Sequence, residues 1–285
     1  MKHKPKILLS NDDGIDAPGI KALYCEIKEV GDVVVIAPPR ERSAVGHCIS
    51  LNEMIHLEER FDDKGFYGYA CDGTPADCVK VAITYLLKDS LPELVISGIN
   101  KGQNTSNNII YSGTVAAAIE GAMLGIPSIA VSINSTRNTN PDFRFAAKFT
   151  KNFIPFLLSK GLPEGVILNI NIPDIPEEEI EGIEITKQGK GSFTDLFVSE
   201  DNNRKIKLLK NIGADIIYSS ADDENDDIAL ILKNKISITP LHFDLTCHSF
   251  RTELKKWIEN NENLLICQES KNEIRCKRIN NNSSL

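Results

Sequence analysis

Apolar positions along this chain fall into two alternating spacings. Short unbroken apolar runs at 6–9, 33–37, 94–96, 128–133 and 166–172 predict buried strands. Between them the spacing becomes helical. Ile20, Leu23, Ile27 and Val30 predict a helix over 18–30, an alanine-rich stretch predicts one over 114–124, and a third is predicted over 143–158 with Pro155 inside it. The helix predicted over 74–87 has a defined start: Thr74 suits the N-cap, Pro75 the first helical position, and Asp77 a capping box. This βαβ rhythm predicts an α/β fold, a mostly parallel sheet flanked by helices on both faces.

Beyond about residue 180 the pattern changes. Strand-like pieces at 183–186 and 235–239 stand among long polar stretches and are expected as hairpins or arms outside the main sheet. Residues 245–260 predict a terminal helix, and the polar residues from about 269 a loose tail. The expected organisation is an α/β catalytic core over 1–185, β-hairpin arms over 186–245, and a C-terminal helix and polar tail over 246–285.

Composition narrows the function classes. A length of 285 residues allows one large domain, or one with a smaller appendage. The net charge of −8 repels nucleic-acid backbone, so a general DNA- or RNA-coating role is not expected. A small anion would bind only where a cation or backbone N–H groups reverse the local sign. Seven scattered cysteines without a CxxC pair predict neither a disulfide framework nor a zinc site, but reduced, mostly buried thiols in a cytoplasmic protein. The apolar run near the N-terminus, Ile7-Leu8-Leu9, is too short for a signal peptide, and no stretch has the length of a membrane span.

In open parallel sheets, ligands bind beyond the carboxyl ends of the strands. Four polar clusters are expected in that region: 10–14, 40–43, 97–104 and 111–114. Asp12-Asp13 has two readings. NDDG is a common turn sequence; two confined carboxylates also suit a hard divalent cation, with Ser43 and Asn100 as neutral oxygen ligands. The position directly after a buried strand favours the cation. The turn Ser112-Gly113-Thr114 opens a helix whose first turn carries no acid before Glu120, which leaves its N–H donors to an outside anion. A plain Ser/Thr-capped helix is the alternative. Asn104 is a candidate phosphate contact, while Gln103, Asn107 and Asn108 read as a polar loop. Arg40 and Arg42 suit either phosphate or solvent.

The five histidines show no metal or triad spacing. His47 lies near the candidate site, and His242 and His248 read as structural or interfacial. The acidic run over 222–227 lacks the ligand spacing of a calcium loop and reads as a solvated loop.

Six segments carry a family resemblance: ILLSNDDGIDAPGI, RSAVGHCISL, CDGTPADCVKVAI, SGINKGQN, YSGTVAAAIEGAMLGIPSIAVS and ISITPLHFDLT. In this order, over about residues 5–246, they resemble the SurE family of survival-protein nucleotidases. The resemblance implies a Rossmann-like core with extended arms exchanged in a homodimer or homotetramer. It also implies a metal-dependent 5′/3′-nucleotidase acting on nucleoside monophosphates, with an exopolyphosphatase side activity. One divalent cation per subunit, Mg²⁺ or Mn²⁺, is implied on Asp12, Asp13, Ser43 and Asn100. Phosphate is implied near Asn104, Ser112, Gly113 and Thr114, with Asp12, Asp13 and Asn104 as the catalytic set. Ala116 stands where the family usually has Gly, the region 190–235 matches poorly, and residues beyond about 250 extend past the usual end. Two rival readings remain at this point: an aspartyl-phosphate-forming phosphatase, whose DxDxT-like spacing is absent here, and a nucleotide sensor without turnover.

Overall fold

The computed structural model describes residues 4–63, 65–135, 140–193, 197–199, 209–211, 216–217, 225–231 and 233–260. The strands are β1 (Lys6–Ser10), β2 (Asp32–Ala37), β3 (Leu57–Asp62), β4 (Gly65–Cys71), β5 (Leu94–Lys101), β6 (Ser128–Asn134), β7 (Val166–Pro173) and β8 (Ile183–Ile185), then the short β9 (Ser192–Phe193), β10 (Phe197–Ser199), β11 (Leu209–Asn211) and β12 (Ile216–Ile217), and finally β13 (Ile236–His242). The helices are α1 (Pro18–Ile27), α2 (Pro75–Val81), α3 (Gly113–Met123), α4 (Phe143–Lys160), α5 (Asp227–Ile231) and α6 (His248–Glu259). Residues 1–243 form one compact unit and 244–285 another. Among the described residues, no helix is long and apolar enough to cross a membrane.

The main sheet has nine strands in the order β3-β4-β2-β1-β5-β6-β7-β13-β8. From β4 to β7 all neighbours are parallel. Successive side chains of a strand face opposite ways, and β1 shows the consequence. Ile7 and Leu9 join the core built with α1 and α4, whereas Leu8 joins the one built with α2. Both faces are covered, which explains the unbroken apolar runs.

Helix α2 starts as its sequence requires. The Thr74 hydroxyl accepts from the Asp77 N–H, and the Asp77 carboxylate accepts from the Thr74 N–H at 2.9 Å. The helix gives way to a π-helical turn, Ala82–Leu86, within the predicted 74–87 stretch. Helix α1 ends at Ile27, short of Val30.

Two expectations are corrected. The pieces at 183–186 and 235–239 belong to the main sheet: β13 pairs antiparallel with β7, and β8 pairs with β13. Their polar residues hid this burial. Thr186, Ser237 and Thr239 are buried and satisfy one another, with the Thr186 hydroxyl 2.8 Å from that of Ser237 and 2.6 Å from that of Thr239. Among the described residues, two short antiparallel ladders stand outside the main sheet, β10 with β11 and β9 with β12. Among the described residues, the cysteines are not mostly buried. Cys71 and Cys78 are buried, but Cys25, Cys48 and Cys247 are exposed, and Cys267 and Cys276 lie outside the described residues.

Candidate functional site

The strand order reverses direction at β1, with β2 and β4 on one side and β5 to β7 on the other. The crevice at such a switch point is where open α/β sheets bind ligands. The turn after β1 is fixed by its own amide: Asn11 donates to the Gly14 carbonyl at 2.9 Å, and the Gly14 N–H donates back to Asn11 Oδ1 at 3.2 Å. Gly14 sits at φ +105°, a conformation that L side chains rarely adopt. This turn presents Asp12 and Asp13 into the crevice.

Three other loops close on the pair. The Arg42 N–H donates to the Asp12 carbonyl at 2.7 Å, docking the loop that carries Ser43. The Lys101 N–H donates to Asp13 Oδ2 at 3.0 Å, placing the end of β5, with Asn100, beside the second acid. The Thr114 hydroxyl donates to Asp12 Oδ1. Gly113 is required by close approach: a Cβ there would lie 2.8 Å from Asp12 Cβ and 2.9 Å from Asp12 Oδ2.

The electrostatics are unfavourable to two bare carboxylates. Asp12 is 5% exposed, and burial pushes its carboxyl up against the pull of Thr114. Asp13 is pushed up to about 7, first by burial and then by the charge of Asp12. Glu41, in the loop that carries Ser43, raises both further.

This donor set fits a hard divalent cation. Confined carboxylates that resist ionisation gain most from a cation, and Mg²⁺ or Mn²⁺ completes its shell with neutral oxygens and water. Among the described residues, no group of three or more His, Cys, Asp or Glu is placed to hold a metal. A site here therefore depends on neutral oxygens. Asn100 donates its amide nitrogen to the Gly102 carbonyl at 2.7 Å, which leaves the amide oxygen as its acceptor end. Ser43 is exposed and donates to Glu41.

The donors at the start of α3 are less free than expected. Ser112 is the N-cap and accepts from the Val115 N–H at 3.0 Å. The Thr114 hydroxyl and N–H both act on Asp12. The acid missing from the first turn of α3 is thus supplied from the loop after β1.

Asn104 is held tightly. Its N–H donates to Asn171 Oδ1 at 2.8 Å, and its carbonyl accepts from Asn169 at 2.8 Å and Asn171 at 3.0 Å. Its amide lies 2.8 Å from the Ser132 hydroxyl. These partners were absent from the sequence reading because Ser132, Asn169 and Asn171 sit inside apolar strand runs.

His47 lies 2.8 Å from Glu120, which also pairs with Lys80 at 2.8 Å. Burial raises the Glu120 carboxyl, but those two bonds outweigh it and hold it below the ordinary range. With the Gly46 N–H donating to the Tyr111 carbonyl at 3.0 Å, this pins the loop after Ser43.

Fold and site together define an α/β protein whose switch point is built around an acidic pair, Asp12 buried and Asp13 half-buried, and a helix N-terminus. The chain belongs to the SurE family: the family model described as "Survival protein SurE" matches residues 7–195. It is 42% identical over 263 residues to the 5′-nucleotidase SurE of Carboxydothermus hydrogenoformans, covering 91% of this chain and 98% of that protein. It is 44% identical over 252 residues to the 5′-nucleotidase SurE of Pelobacter propionicus, covering 88% and 99%. The crystal structure of the SurE protein from Aquifex aeolicus superposes with a TM-score of 0.75 at 39% identity, covering 89% of this chain and all of that one.

Proposed function

We infer that this chain is a 5′-nucleotidase, a phosphoric monoester hydrolase that converts nucleoside monophosphates to nucleoside and phosphate. The observation that carries the reading is the acidic pair at the switch point, with Asp12 buried against the N-terminus of α3 and Asp13 half-buried beside it. Relatives named as 5′-nucleotidases over nearly their whole length support it.

In this reading Asp12, Asp13, Ser43 and Asn100 hold one Mg²⁺ or Mn²⁺. The cation supplies charge neutralisation for the phosphoryl oxygens. The chain itself does the rest. Asn104 is locked by Asn169, Asn171 and Ser132, its amide nitrogen donating to the Ser132 hydroxyl, and its remaining amide N–H would serve the phosphate. The N-terminus of α3 provides the Gly113 N–H, and Thr114 provides its donors once the Asp12 oxygens are otherwise engaged. Asp12 and Asp13 serve as ligands rather than as nucleophile and base. The wider reading includes 3′-monophosphates and short polyphosphate as substrates, arms from the region between β8 and β13 exchanged in a homodimer or homotetramer, and a cytoplasmic location.

Phosphate release from a panel of nucleoside monophosphates, with Mg²⁺, Mn²⁺ or EDTA, tests the assignment. The expected result is turnover with either cation and its loss in EDTA. Turnover indifferent to EDTA would overturn the metal reading, and metal-dependent nucleotide binding without phosphate release would replace the enzyme by a sensor.

A pH dependence follows from Asp13. Burial and the charge of Asp12 push its carboxyl up to about 7, so below that a proton competes with the metal. Calorimetry should show Mn²⁺ binding roughly tenfold weaker at pH 6 than at pH 8. The stability effect has the opposite direction. The folded metal-free protein retains a proton that an unfolded Asp gives up near its ordinary 3.8. Stability of the EDTA-treated protein should therefore fall as pH rises from about 4 to about 7, read as Tm, and Asp13→Asn should flatten that slope.

A further inference from the structure

Asp227 opens α5 and is completely buried. It ends the acidic run read from the sequence as a solvated loop; residues 222–224 of that run lie outside the described residues. Its Oδ2 accepts from the Ser106 N–H at 2.8 Å. Its Oδ1 accepts from the Gly189 N–H at 3.1 Å and from the Ser106 hydroxyl at 3.3 Å. Ser106 is held at φ +54°, a left-handed conformation unusual for a serine. Gly189 is fitted to the same spot: a Cβ there would lie 2.6 Å from Ser106 Oγ and 3.0 Å from Asp227 Oδ1.

Neighbouring bonds join the same two segments. Gln188 donates to the Ser106 carbonyl at 3.0 Å, the Asn107 N–H donates to the Gly191 carbonyl at 3.0 Å, and the Asn107 side chain donates to the Lys190 carbonyl at 3.2 Å. The stretch so gripped runs directly from Asn104 through a 3₁₀ turn, Ser106–Tyr111, to the Ser112 cap of α3. Both sequence-adjacent halves of the phosphate side hang on it. One side of the stretch is held by the asparagines of β7 and the other by Asp227.

We propose that Asp227 is a positioning residue of the phosphate site, its buried carboxylate fixing Ser106 against Gly189 and so setting where Asn104 and the 112–114 turn stand. The proposal rests on the nucleotidase reading for the identity of the ligand. The groups aimed at the carboxylate, from Ser106, Gly189 and Ile228, are all donors. An Asn at 227 turns an amide N–H onto one of them, so it cannot replace the charge at both oxygens.

The test compares wild type with Asp227→Asn and Gly189→Ala, each first shown to be folded at the assay temperature. The expected result is a rise of tenfold or more both in KM for a nucleoside monophosphate and in the inhibition constant of inorganic phosphate, with the Mn²⁺ dissociation constant within twofold of wild type. Folded variants with unchanged KM and phosphate inhibition would overturn the proposal. An equal rise in all three constants would also overturn it, since a general loosening moves the cation ligands as well. If Asp227→Asn does not fold, Gly189→Ala and Ser106→Ala carry the same comparison. Ser106→Ala loses one hydrogen bond and should shift KM in the same direction by a smaller factor. Should the wild type fail to hydrolyse nucleotides, the functional reading falls on its own. Calorimetry of phosphate binding in Mn²⁺ then still reads the effect of Asp227.

Discussion

Asp12→Asn should lower phosphate release at least 1000-fold while leaving the metal-free protein as stable as wild type, or more so. The two halves of this result have separate causes. Asn is neutral and nearly isosteric, and its Oδ1 can still accept from the Thr114 hydroxyl. The fold therefore loses little, and it sheds a buried carboxylate whose charged form burial disfavours. Activity loses the charge that anchors the cation. Removing one preorganised electrostatic group from an active site costs about 100- to 1000-fold, and loss of a cation ligand acts on the whole phosphoryl charge. Mn²⁺-dependent phosphate release, Mn²⁺ calorimetry and a Tm in EDTA check the two halves together. A kcat within tenfold of wild type would count against Asp12 as a ligand, and a Tm many degrees lower would show that the charge itself supports the fold.

Gly113→Ala should be destabilising and close to inactive, although helix propensity alone favours it. Ala in place of Gly inside an exposed helix gains about 1 kcal/mol. Here the added methyl would meet Asp12 Cβ at 2.8 Å, Asp12 Oδ2 at 2.9 Å and Pro75 Cγ at 3.1 Å. The Asp12 carboxyl is held by Thr114 and Pro75 is a closed ring, and both residues are buried. Overpacking of this kind costs about 1–3 kcal/mol, so the sign of the change in Tm decides whether α3 sits against Asp12 as described. The chemistry should suffer more than the fold. A displacement of about 1 Å at a reacting centre costs on the order of 100-fold in rate, and the methyl pushes directly on the acid that faces the helix. A more stable and fully active Gly113→Ala protein would refute this packing.

Elements whose burial is continuous were legible in the chain. β1, β2, β6 and β7 announce themselves as apolar runs, and α2 through its capping residues. The hairpin of β3 and β4 carries no such signal. β3 is an edge strand, and Glu58 and Glu59 are exposed there, so no face is uniformly apolar. In β4, Gly68 interrupts the pattern because Val35 packs where a Cβ would be. The 3₁₀ turn over Ser106–Tyr111 was missed because its polar residues are satisfied by distant partners, Asp227 and residues 188–191, and not by a local cap. The candidate site followed the same division. Asp12, Asp13, Gly113 and Thr114 stood out because acids after a strand and glycines before a helix have local physical meaning. Asn169, Asn171, Ser132 and Asp227 did not, since each matters through a residue at least 28 positions away.

The placement of β13 has a consequence for synthesis. β7 ends at Pro173, and the strand that covers its outer edge begins at Ile236. While the chain is being made, roughly sixty residues must follow before that edge can be capped, which at ribosomal rates of about 5–20 residues per second takes some 3–12 s. Throughout that interval a folded β1-to-β7 sheet would present an uncapped strand of sequence VILNINIP, a template for pairing with another nascent chain. Pairing of this edge with another nascent chain would compete with its capping by β13, whatever the state of the acidic crevice.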